Sequence, residues 1–156
     1  MSAGGGGKRD RIRRITVPEF ERRPSRLDVG YDIPYLGGYS VDGSVIYLDR
    51  RLPRFIEGVE VWRYIWVHER TEKALIDALG WDYEKAHAAA TQAEHWAVHE
   101  AGYDPAWYES LLAPWIRSVD HESVTRVPAD MDLTPYVDER DRRVLGELMM
   151  NCSRQA

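Results

Sequence analysis

The chain has 156 residues, 44% of them hydrophobic and 30% charged, with a formal net charge of −5. That is the composition of an ordinary soluble globular protein about one domain long, with enough apolar material for a sizeable core. A membrane span is excluded, because Arg63 and His68 interrupt the best apolar stretch well short of the roughly 20 residues it needs, and the single cysteine, Cys152, excludes an internal disulfide and a thiolate zinc cluster.

Residues 1–27 read as a disordered basic tail. They hold eight Lys or Arg against three acidic residues and open with a glycine run, which leaves 13 basic and 23 acidic residues, about −10, for the rest. Such an arm is suited to an acidic partner or nucleic acid. No charged-then-apolar secretory pattern opens the chain, and with one cysteine the expected location is the cytoplasm. Residues 28–150 form the expected single domain, and residues 151–156 are expected to fray.

Within the domain, Tyr35–Asp49 reads as a β-hairpin turning at Asp42-Gly43, with Ser44–Asp49 its stronger strand. Pro53 closes the strand region. From about Val59 to Leu79 the period becomes helical, with Val61, Tyr64, Ile65, Leu75 and Leu79 on an inner face and Arg63, Arg70, Lys73 and Asp77 opposite. His68 and Glu72 lie at the centre of that inner face, and Glu69 lies at its edge. Gly80 is the expected stop and Asp82 the N-cap of a second helix, about Tyr83 to Ala101. There Ala86, Ala90, Ala93, Ala97 and Val98 share an arc with His87 and Glu94, while Lys85, His95 and His99 face the polar side. A third helix over Pro105–Ile116, a proline-punctuated loop and a final helix over 137–150, with Val137, Val144, Leu145 and Leu148 for the core, complete an α+β fold. In that fold a β-hairpin or small antiparallel sheet packs on an α-helical hairpin with further C-terminal helices.

The two inward-facing His and Glu pairs need a physical reason, because a buried unpaired carboxylate or imidazolium costs several kcal/mol. A hairpin turning near Trp81 brings His68 level with Glu94, with Glu72 falling between Glu94 and His87. At about 1.5 Å per residue all four lie within roughly two helical turns. A divalent cation would stabilise them: imidazole and carboxylate donors suit zinc, and also iron or manganese. Glu69, next to the first donor and turned towards the cleft, stands where a general base belongs. The alternatives are a metal-free buried polar network and no shared site at all.

The string His68-Glu69-Arg70-Thr71-Glu72, preceded by a strand-turn-strand and followed by Glu94 on the next helix, resembles the zincin metallopeptidases, and within them the gluzincins. The likeness covers about residues 44–98. It implies His68, Glu72 and Glu94 as zinc ligands, Glu69 as the base, and the strand 44–49 as the edge along which a peptide or protein substrate lies. Glu in place of the second His departs from that pattern, and His87 has no place in it. The HExxE layout also resembles that of small bacterial and phage proteins without a known activity. Two other readings remain open: a di-metal carboxylate site of ferritin type, and a non-enzymatic, phage-related structural or interaction module with a buried His/Glu network.

Overall fold

The computed structural model describes residues 25–121 and 124–136, together with Gly146, Leu148 and Met149. The expected basic tail through residue 24, most of the expected helix over 137–150 (including Val137, Val144 and Leu145) and the terminal residues 151–156 lie outside the described residues.

The fold is α+β. Strands β1 (Arg26–Tyr31), β2 (Gly37–Tyr39) and β3 (Val45–Asp49) form a sheet in the order β1-β3-β2. The short strands β4 (Phe55–Ile56) and β5 (Val59–Glu60) pair as a second hairpin. Helices α1 (Val61–Leu79), α2 (Tyr83–Glu100) and α3 (Pro105–His121) follow. Among the described residues no helix is long and apolar enough to cross a membrane.

The expected hairpin is present: β2 and β3 pair antiparallel around a turn in which Asp42 accepts hydrogen bonds from the Ser44 backbone N–H and the Ser40 hydroxyl. Two expectations for this region are corrected. The strand 44–49 is not an edge. β3 lies between β2 and the parallel strand β1, so both rows of its backbone groups are already paired and no peptide can extend the sheet along it. The sheet is therefore mixed and not purely antiparallel, and β1 takes in Arg26 and Leu27, which composition alone had placed in the tail.

Every residue of β3 is buried, because both faces of the sheet are covered. Ile46 and Leu48 join Tyr39, Val61, Tyr64 and Ile65 in the core between sheet and helices. On the other face Val45 and Tyr47 meet Val127, Met131, Tyr136 and Leu148. A strand with two covered faces reads as a continuous apolar run, which is what "VIYL" is.

Helix α1 begins two residues later than its periodicity suggests. The Glu57-Gly58 pair, with φ of 48° and 82°, turns the chain into the β4–β5 hairpin first. It ends at Gly80, whose φ of 62° is a left-handed cap that a side chain would strain. Asp82 then caps α2 by accepting from the Lys85 backbone N–H. Ala86, Ala90 and Val98 are fully buried on the α1 side, as the alanine arc implies. Leu79, expected inside, is 47% exposed at the last turn. Lys73, expected on the solvent side, is only 6% exposed, because the loop 124–136 covers that side of the helix and brings Asp132 to 2.9 Å from its ammonium. Trp62 and Trp66 pack against the main core, with the Trp62 indole donating to the Leu52 carbonyl.

That covering loop is anchored by Asp32, which accepts from the backbone N–H groups of Thr125 and Arg126, the Thr125 hydroxyl and the Arg50 guanidinium. Burial alone would raise the Asp32 carboxyl, but the bonds from Thr125, Arg50 and Arg126 outweigh it and hold it below its ordinary value of 3.8. A group depressed in this way contributes stability above its unfolded pKa and loses it as pH falls through the folded one. Asp32→Ala is expected to cost about 2–3 kcal/mol at neutral pH and to flatten the acid limb of the stability curve. Denaturant melts across pH 2–7 check this, and an unchanged midpoint would show that the loop is anchored elsewhere.

Candidate metal centre

Helix α1 delivers His68, Glu69 and Glu72, and α2 returns at the Gly80 turn to deliver His87 and Glu94. The levels match as the hairpin argument requires: His68 Nδ1 lies 2.9 Å from Glu94 Oε2, and His87 Nδ1 lies 2.8 Å from Glu72 Oε2. His68 Nε2 faces the other way, 3.2 Å from His87 Nδ1 and 3.4 Å from Glu72 Oε2. Three donor atoms thus form a triangle with edges of 2.8, 3.2 and 3.4 Å. Ligand atoms about 2.0–2.1 Å from a tetrahedral ion stand about 3.3 Å apart. The residues therefore fit a metal ion, and the group His68, Glu72 and His87 could hold one.

Of the four residues expected as ligands, these three converge. Glu94 does not join them, because it meets the opposite nitrogen of the His68 ring. There it fixes the tautomer and orientation that would present Nε2 to an ion. Glu94 is itself held by the Tyr108 hydroxyl at 2.7 Å, and Glu72 by the Tyr39 hydroxyl at 2.8 Å. Burial first, then the neighbouring carboxylates, push both phenols well above their ordinary values, so each remains a donor. His87, expected within the buried arc, is 48% exposed and stands at the mouth of the site beside Tyr83.

The electrostatics follow from this arrangement. Burial disfavours charge on His68, but hydrogen bonds with Glu72 and Glu94 overcome it and raise the ring to about 10. Burial likewise works to raise Glu72, and the bonds from His68, His87 and Tyr39 reverse it, bringing the carboxyl to about 2. Glu69 behaves differently. It is 8% exposed and accepts no hydrogen bond among the described residues, and burial raises it to about 8, against the pull of the His68 charge.

Glu69 lines a cavity of about 660 Å³ together with the three donor residues, and Tyr35, Tyr136 and Leu112 supply other parts of its wall. The wall includes the turn Pro34–Leu36, where Tyr35 and Leu36 hold left-handed φ values of 57° and 75°. Such conformations cost about 1–2 kcal/mol per residue and concentrate at functional sites. The turn leads into Gly37, an extended residue whose side-chain space is taken: a Cβ there would lie 2.6 Å from Glu69 Oε1. Sequence reasoning missed Gly37, Tyr39 and Tyr108. Strand alternation could have aimed Tyr39 at the helices, whereas Tyr108 shows only as one aromatic among many.

Comparison with protein-family models, with curated proteins and with solved structures returns no match.

An ion held through His68 Nε2 must displace the proton that ring keeps up to about pH 10. Binding is therefore expected to release about one proton per ion near neutral pH, and the apparent affinity to rise about tenfold per pH unit between pH 6 and 9. Zinc titration calorimetry in buffers of different ionisation enthalpy measures the release. A value near zero would mean that the ion does not bind at His68.

Proposed function

We propose that the protein binds one divalent metal ion through His68, Glu72 and His87, and that the site serves hydrolysis. The observation carrying this reading is the combination of a donor triangle of coordination size with a carboxyl on the same cavity wall, Glu69, that accepts no hydrogen bond among the described residues. Two imidazoles and one carboxylate are the donor set of known catalytic zinc sites, so zinc is the best fit; iron and manganese accept the same donor types. The gluzincin resemblance supports the roles of His68, Glu69 and Glu72, while His87 takes the place expected for Glu94.

When bound, a divalent ion there supplies Lewis acidity. The chain supplies the rest. Glu94 and Tyr108 hold the His68 ring, and Tyr39 holds the Glu72 carboxylate. Glu69, whose carboxyl titrates near neutrality, takes a proton from a water in the cavity and returns it to the leaving group.

A second reading has its own observation. Without an ion, His68, Glu72, His87 and Glu94 bond to one another, as a network that only specifies the fold would. The position of Glu69 counts against it, because its carboxyl faces the cavity and joins none of these bonds among the described residues.

The purified protein is expected to bind about one equivalent of zinc and to gain about 2.7 kcal/mol of stability at a hundredfold excess over Kd. His68→Ala and His87→Ala are expected to weaken binding by more than about 100-fold, and Glu94→Gln by about 10–100-fold. Glu69→Gln should retain the ion and lose any hydrolytic turnover. Zinc, manganese and iron all failing to bind would leave the fold-specifying network as the reading that stands.

A further inference from the structure

The cavity beside the donor triangle also carries information about its ligand. Its wall holds Glu69, Glu72, Glu84 and Glu94, and among the described residues no Lys or Arg contributes to it. Among the described residues the charged side chains of the lining, its histidines apart, are therefore acidic, with no lysine or arginine to answer them. Glu72 and Glu94 have committed their oxygens to the histidines and to Tyr39 and Tyr108. Glu84 is exposed to solvent, where its charge is screened. Glu69 remains, more than nine-tenths buried, facing the cavity and without a hydrogen bond among the described residues.

The rest of the wall suits the body of such a ligand. Tyr35 and Tyr136 stack with ring centroids 6.2 Å apart, and Ile65 and Leu112 add aliphatic surface. Aromatic faces attract cations and not anions.

We propose that this cavity takes an organic cation: a primary amine, carried as ammonium on an apolar body, whose N–H groups meet Glu69 and whose body packs on the tyrosine and leucine wall. An ammonium supplies only donors, which is what an unbonded carboxylate lacks. A carboxylate or phosphate ligand would meet a wall of like charge. The inference rests on the metal reading only for the ion's share of the charge.

Three probes sharing one ring and differing in head charge test it: 2-phenylethylamine, 2-phenylethanol and 3-phenylpropionate, titrated by calorimetry into the full chain with zinc present. The amine is expected to bind at least about tenfold tighter than the alcohol, and the carboxylate weakest. In Glu69→Gln the amine should fall to the level of the alcohol with zinc binding unchanged. Gly37→Ala should do the same, because the added Cβ displaces the Glu69 carboxyl. Equal affinities, no amine binding, a preference for the anion, or an amine preference surviving in Glu69→Gln overturns the proposal. Zinc titrations on the same samples separate the two readings. Zinc bound without an amine preference removes this inference and keeps the metal centre; an amine preference without zinc binding does the reverse.

Discussion

Two carboxylates and two imidazoles share the seam between α1 and α2, and that seam closes only because each is answered. Removing ionised groups from water costs several kcal/mol apiece unless partners satisfy them. Glu72 is met by His68, His87 and Tyr39, and Glu94 by His68 and Tyr108. The two tyrosines come from different elements, β2 and α3, so the sheet and the third helix are fastened to the hairpin at its charged points. Small side chains at Ala86 and Ala90 let the helix backbones come close enough for these short bonds.

The second face of the sheet is organised by a different set of charges. Asp49 accepts from the Ile33 and Arg51 backbone N–H groups, and Asp32 gathers the start of the loop 124–136. That loop then covers Lys73 on the outer flank of α1, where the ammonium lies between Asp132 and the Tyr39 ring. Tyr39 is thus held from both sides, by Glu72 at its hydroxyl and by Lys73 at its face. A loop with little regular structure of its own therefore steadies a group that steadies the Glu72 carboxylate.

The helix hairpin was legible in the sequence because its signals are local. A 3.6-residue period, a glycine stop and an aspartate cap set the lengths of α1 and α2, and those lengths fix which residues are level. The pairing of His68 with Glu94 follows from that alone. What was not legible depends on distant chain. Strand β1 is set by its parallel partner β3 and not by a turn of its own, so its alternating Leu27, Val29 and Tyr31 were hidden beside a basic run. The burial of Lys73 depends on a loop some 60 residues away. The half-open position of His87 depends on where the cavity opens, which helical phase does not report.

Gly37 has a consequence of another kind. Its backbone is ordinary extended chain, with φ of −148°, so the backbone itself has no need of glycine. The need comes from across the sheet–helix seam: a Cβ would stand 2.6–2.8 Å from the Glu69 carboxyl and from its Cγ. Any side chain here would have to push a buried one aside. The glycine is the room that Glu69 occupies.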